Sequence, residues 1–255
     1  MTVRGAALAV GFLLAATLPA HAADDDAAVQ GKIERRLAKA GLDKTANVQV
    51  SVRDGVASLT GITLSVADRW KAEEAARKET KSVDSRLQVF PEKRADAELE
   101  KDVADAILGY VYYGVFDSIS AGVTDGVAVL QGSVRDEFRK DQILDRVSRV
   151  EGLRDVKDEI RVQPASFFDD RLRRELVARI YGSLNSPLAR FASAPNPPVR
   201  ILVEHGRITL TGYVGTTLEQ TLLTHIARGT SAFQVTNEVQ LDSDRNRETR
   251  ANNEG

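Results

Sequence analysis

The chain has no cysteine, a single methionine, a single tryptophan and three histidines, and aromatic residues make up only 5% of it. Without a thiol, disulfide staples, thiolate metal sites, a cysteine nucleophile and a lipid-modified N-terminal cysteine are all excluded. Packing alone must hold whatever folds here. Charge of one sign is scarce as well. The 35 Lys and Arg stand against 37 Asp and Glu, a balance without the basic footprint of nucleic-acid binding or the overall excess that would draw a chain to anionic lipid.

The polar groups that remain do not assemble a reaction centre in sequence. His21 lies in the N-terminal apolar region, His205 falls at a turn, and His225 takes the solvent side of a helix. No nucleophile, base and orienting acid recur at the spacing of a triad. Asp24-Asp25-Asp26 has no calcium-loop glycine and glutamate behind it and reads as a solvated acidic leader. Glu73-Glu74 and Asp169-Asp170 read as solvent-facing helix surface. The glycines lack the lysine and hydroxyl residue of a phosphate loop. No catalytic residue, metal site or cofactor is predicted.

Long apolar runs are also few. The run from Ala6 to Ala20 follows Arg4 and ends in Ala20-His21-Ala22, the pattern of a secretory signal peptide cleaved after Ala22. Its length of about 15 residues falls short of the roughly 20 that span a bilayer. Residues 1–22 are therefore predicted to be a leader, and the mature chain periplasmic, with no spanning segment.

What is present is one short phrase written three times: Val52-Arg53-Asp54-Gly55 to Leu59-Thr60-Gly61, Val123-Thr124-Asp125-Gly126 to Leu130-Gln131-Gly132, and Val203-Glu204-His205-Gly206 to Leu210-Thr211-Gly212. Periodic self-similarity means one supersecondary unit used repeatedly. Asp54-Gly55 and Asp125-Gly126 supply the positive φ of a type I′ hairpin turn, with His205-Gly206 in the same place. That loop sets the register: Val52 faces Ala57 and Val50 faces Leu59, Val123 faces Ala128 and Ala121 faces Leu130, and Val203 faces Ile208 and Ile201 faces Leu210. One face of each hairpin is thus apolar.

Four residues past Gly61, Gly132 and Gly212 stand Ser65, Asp136 and Thr216, all helix N-cap types, and Asp68 and Glu219 complete capping-box patterns. The helices that follow carry apolar pairs at i, i+4: Ala72/Ala76, Ile143/Val147 and Leu223/Ala227. Alternating strands Leu87-Gln88-Val89, Ile160-Arg161-Val162 and Val239-Gln240-Leu241 close the units. Another amphipathic helix precedes each hairpin, over about Val29 to Ala40, Ala95 to Tyr112 and Arg171 to Leu184.

The fold class is α+β: three tandem αββαβ modules, each a three-stranded mixed sheet with helices packed on one face. The modules span 27–90, 95–163 and 169–242, with a disordered tail over 243–255. The edge taken by the last strand is not legible. The third module carries an insertion, placed at Ser193 to Pro198 and expected as an extended loop before a strand near Val199.

These phrases resemble the BON domain, a bacterial osmotic-stress and nodulation-associated module. Its pattern is a valine strand, Asp/Asn-Gly, Leu-x-Gly, a helix and a closing Val-x-Asn, the last best matched by Val235-Thr236-Asn237. The third copy departs from it with His205 at the turn acid and Arg207 after the glycine. The resemblance implies a non-enzymatic envelope protein that acts by contacting phospholipid or envelope proteins in stress protection. The alternative is a soluble chaperone-like protein that binds unfolded or envelope-bound clients. Nucleic acid is not an expected partner, and the oligomeric state is not legible.

Two sets of residues are candidate contacts. Tyr110, Tyr112, Tyr113 and Phe116 put three of the five tyrosines within four residues, and tyrosine suits an interface or headgroup depth because its ring is apolar while its hydroxyl can stay wet. Two readings of this stretch stand: core packing, above all of Val115 and Phe116, or exposure of at least two tyrosines for binding. Val127, Val129 and Leu202 point away from their own helices, either toward a neighbouring module or partly into solvent. Asp54, Gly55, Gly61, Asp125, Gly126, Gly132, Gly206 and Gly212 are assigned to hairpin structure.

Overall fold

The computed structural model describes residues 20–42, 46–183, 186–194 and 196–244. Of the expected leader 1–22, residues 1–19 lie outside the described residues and residues 20–22 are helical; of the tail expected to be disordered over 243–255, residues 245–255 lie outside them and residues 243–244 are helical. Module 1 comprises α1 (Ala20–Lys39), β1 (Ala46–Arg53), β2 (Val56–Thr63), α2 (Val66–Arg77) and β3 (Ser82–Val89). Module 2 comprises α3 (Asp96–Leu108), β4 (Ser118–Thr124), β5 (Val127–Val134), α4 (Glu137–Ser148) and β6 (Asp155–Val162). Module 3 comprises α5 (Phe167–Ile180), a 3-10 turn (Pro187–Phe191), β7 (Val199–Glu204), β8 (Arg207–Val214), α6 (Thr217–Arg228), β9 (Gln234–Asn237) and β10 (Gln240–Leu241).

The chain forms two compact units, Met1–Gly61 with Lys71–Leu87, and Ile62–Trp70 with Gln88–Gly255. In the first, Ile33, Leu37, Leu42, Val52, Ala57, Leu59, Ala72, Ala76 and Leu87 form one core. In the second, Leu99, Val103, Ile107, Leu130, Ile143, Val147 and Ile160 form the core of module 2, joined by Val66 and Trp70. Leu172, Leu176, Ile180, Ile201, Leu210 and Leu223 center the core of module 3.

The edge question has one answer throughout. The second hairpin strand is central, in the orders β1-β2-β3 and β4-β5-β6, with β8 flanked by β7 and by β9 and β10. β6 runs parallel to β5, and β9 and β10 run parallel to β8. The sheets are therefore mixed. Register follows the turn: Val123 pairs with Ala128 and Ala121 with Leu130, and Val203 pairs with Ile208 and Ile201 with Leu210.

The last strand of module 3 is interrupted. β9 and β10 keep one register on β8, but at the end of β9 Asn237 turns its amide into α6, donating to Gln220 O at 2.9 Å and Thr224 Oγ1 at 2.7 Å, while its Oδ1 accepts from Val239 N–H at 3.1 Å. An amide that satisfies three partners off the ladder breaks the strand locally and stitches it to the helix.

Cap residues act as their types require. Asp68 N–H donates to Ser65 Oγ at 3.1 Å, Arg139 N–H to Asp136 Oδ1 at 2.9 Å, and Glu219 N–H to Thr216 Oγ1 at 3.2 Å. In module 3 the box is reciprocal, with Thr216 N–H donating to Glu219 Oε2 at 3.1 Å. Three helix boundaries differ from expectation. α1 already begins at Ala20, and α3 stops at Leu108, where Gly109 caps it and Tyr113 N–H closes a turn on Tyr110 O at 2.8 Å. α5 begins at Phe167, capped by Ser166, and ends at Ile180. The insertion at Ser193 to Pro198 carries no helix or strand among its described residues and leads into β7 at Val199, and ahead of it Pro187 starts a 3-10 turn that buries Leu188.

Candidate functional site

All three hairpins have the same tip. Asp54, Asp125 and His205 hold φ of 51°, 51° and 52°, followed by Gly55, Gly126 and Gly206 at 74°, 73° and 74°. His205 thus takes the left-handed conformation that aspartate takes in the other copies. Each tip is held by one carboxylate from the preceding helix. Asp26 accepts from Asp54 N–H at 2.7 Å and Gly55 N–H at 2.9 Å. Asp96 accepts from Asp125 and Gly126 at 2.8 and 2.9 Å, and Asp169 from His205 and Gly206 at 2.9 and 2.7 Å.

A type I′ turn leaves two adjacent N–H groups pointing the same way, and a carboxylate is the side chain that accepts both. This clamp corrects two expectations. Asp26 is not a free acidic leader, and Asp169 is not solvent-facing helix surface but fully buried. A signal for it was present: the acids of the first two copies precede the turn aspartate by 28 and 29 residues.

The tyrosine segment is a joint between modules 2 and 3. Tyr110 and Tyr113 are buried, and only Tyr112 is exposed. Tyr113 Oη accepts from Ile119 N–H at 3.0 Å, while the Arg200 guanidinium lies 4.8 Å above its ring and donates to Gly114 O at 3.1 Å. Ile201 N–H, on the outer edge of β7, donates to Val115 O at 2.7 Å, and Val115 and Phe116 pack on the core of module 3. An open strand edge is thereby covered, which removes a template for unwanted pairing.

Gln163 completes the joint. It donates to Phe116 O at 2.7 Å and accepts from Arg173, which also donates to Val203 O. The reading in which at least two tyrosines form an exposed contact is therefore replaced by burial of Tyr110 and Tyr113, because the helix ends early and the following turns fold these rings inward. Phe116 is half-buried against module 3. Val127, Val129 and Leu202 are each half-buried.

Asp117 organises the same turn. It is buried and accepts from Gly114 N–H and Arg135 N–H, each at 2.9 Å. Burial pushes its carboxyl above the ordinary 3.8, against the pull of those two donors and of Arg139. The fold therefore favours the protonated form, and the contribution is full below the ordinary value and lost as pH rises through the native one. The stability advantage of the wild type over Asp117→Asn is expected to narrow as pH rises from about 4 toward neutrality. Melting temperatures of both proteins across that range test it, and a widening gap would contradict the assignment.

Among the described residues no group of three ligating side chains could hold a metal ion, and no helix is long and apolar enough to cross a membrane. The open concavity lined by Arg179, Ser183, Leu222, His225 and Gly229 brings no acid toward its histidine.

The fold and the shared turn clamp define the class, a tandem array of small α+β modules each built on a clamped hairpin. The chain belongs to the BON domain family, whose pattern matches residues 25–90, 95–164 and 177–243. That family is generally non-catalytic and is linked to membrane- and phospholipid-associated stress roles. No curated protein matches the chain.

Solved structures similar to it include CdsD, a structural protein of the type III secretion system of Chlamydia trachomatis, at 14% identity and a TM-score of 0.24, covering 86% of this chain and 96% of that one. The C-terminal domain of CdsD is similar at 15% identity and a TM-score of 0.23, covering 83% and 96%. Likeness at that level carries no argument about function.

Proposed function

We propose that the chain is an exported, non-enzymatic binding protein of the bacterial envelope, which supports envelope integrity or stress protection by contacting phospholipid or envelope proteins. The observation that carries this reading is the BON pattern in all three modules. Large apolar side chains left in water on modules 2 and 3 support it, among them Val111, Tyr112, Phe138 and Leu218. Phe138 and Leu218 occupy the same place, two residues past the cap of α4 and α6. Exposed apolar groups mark contact surfaces where they join into one patch.

The test is co-sedimentation with vesicles of anionic or zwitterionic phospholipid, run beside an assay of client aggregation. Lipid-dependent pelleting is expected. Suppression of aggregation without pelleting would favour the chaperone reading and overturn the lipid one.

A further inference from the structure

The hairpin tip of module 3 is built differently from that of module 2. Around Gly126 the clamp residue Asp96 is preceded by Arg94 and Ala95, and Arg154 N–H donates to Gly126 O at 2.8 Å. Around Gly206 the residues in those places are Phe167, Phe168 and Phe233, with Phe233 N–H donating to Gly206 O at 2.8 Å. Module 2 thus has two arginines where module 3 has two phenylalanines.

Phe167 and Phe233 are not core, whereas Phe168 is half-buried against the core of module 3. Phe167 is 98% exposed and Phe233 79% exposed. Phe168 and Phe233 stack with centroids 5.5 Å apart and planes at 18°, and they lie so close over Gly206 that a Cβ there would meet Phe233 at 2.6 Å. The stack is therefore seated on a rigid turn and held from below by Asp169.

The charges around the tip have one sign to spare. Arg171 is exposed and lies 5.2 Å over the Phe168 ring, and Arg207 and His205 are exposed beside it. The nearby acids are engaged: Asp169 by the turn, Asp170 by Arg173 and Arg135, and Glu204 by Arg161. No described acid pairs with Arg207. The whole chain is near neutral, so any attraction to anions must be local, and here it coincides with protruding aromatic rings.

We infer that this tip, Phe167 and Phe233 braced by the half-buried Phe168, with Arg171 and Arg207, is a membrane-docking surface that seats its two exposed rings among the acyl chains of an anionic bilayer while the guanidinium groups meet phosphate. Protruding rings on a convex turn fit a deformable lipid surface, and the surplus cations fit its charge. This inference rests on the lipid reading above and locates it.

The experiment uses the exported chain with vesicles of phosphatidylethanolamine and phosphatidylglycerol, and with vesicles of phosphatidylcholine. Pelleting is expected with the first, weakened by salt, and much less with the second. Phe167→Ser should weaken it about tenfold, as loss of one buried ring implies, without moving the melting temperature of so exposed a position. Phe167→Trp should gain blue-shifted emission on anionic vesicles and be quenched by brominated acyl chains.

If the wild type pellets but Phe167→Ser pellets equally and Phe167→Trp emission does not shift, the site is overturned and the lipid reading survives. If the wild type does not pellet, both fall. A wild-type dimer that Phe167→Ser converts to monomer would overturn the inference in favour of a second copy as the occupant.

Discussion

Replacing Gly132 with alanine is expected to destabilise module 2 by about 3 kcal/mol or more, because two costs act together. The residue holds φ of 120°, a conformation L side chains rarely adopt. Its absent Cβ would also stand 2.1 Å from Ser118 O and 3.1 Å from that carbonyl carbon. A backbone carbonyl in a paired strand cannot swing aside as a side chain can, so β4 and β5 would have to separate. A Cβ added at Gly61 or Gly212 would stand 1.9 Å from Asn47 O or 2.0 Å from Pro198 O, so the same substitution should behave alike in every copy.

The contrast is Gly126→Ala. There φ is 73° and the nearest atoms are Cγ and Cδ of Arg154 at 3.2 Å, a flexible side chain, so the cost should be about 1 kcal/mol. Urea unfolding of both variants, with hydrogen exchange read across β4 to β6, decides the matter. Equal losses would show that the close approach of the strands does not govern stability.

Asp169→Ala should be the costliest change among the clamp residues. It would leave Gly206 N–H without an acceptor at a buried position and His205 N–H without one at a part-buried position, at about 1–3 kcal/mol for a fully buried donor. The loss should reach about 3 kcal/mol in all. Asp26→Ala removes the same pair of bonds at a half-exposed site, where water can replace the carboxylate, and about 1 kcal/mol is expected. Asp169→Asn should fall between, since an amide offers one acceptor and turns an N–H against the second donor. Ranking the three variants by chemical denaturation tests the clamp, and a loss for Asp26→Ala equal to that for Asp169→Ala would refute the role given to burial.

Hairpin, register and caps were legible because each depends on residues a few positions apart. Asp-Gly dictates its turn, the turn dictates which side chains face each other, and Ser65, Asp136 and Thr216 find their N–H partners three residues on. Even His205 adopted the conformation of its counterparts, because the strands on either side leave the turn no other geometry. The tyrosine segment misled for the opposite reason. Clustered tyrosines suit a surface, but the end of α3 at Leu108 turned Tyr110 and Tyr113 inward, and the open edge of β7 supplied a partner for Val115 O.

The aromatic tip of module 3 is not legible in the chain, because Phe167 and Phe168 stand far in sequence from Phe233. Phe167, Phe168 and Phe233 are joined only when the loop before β9 comes back to the hairpin tip. From sequence alone followed the number of modules, their αββαβ order, the mixed α+β class and the BON resemblance, since periodicity, alternation and turn chemistry act along the chain. Only the tertiary structure decided which strand is central, that Asp26, Asp96 and Asp169 clamp the turns, and that one tip is aromatic. Those features depend on groups 28 or more residues apart meeting within 3 Å in the clamps, and the contacts that bring such groups together leave no periodic trace in the chain.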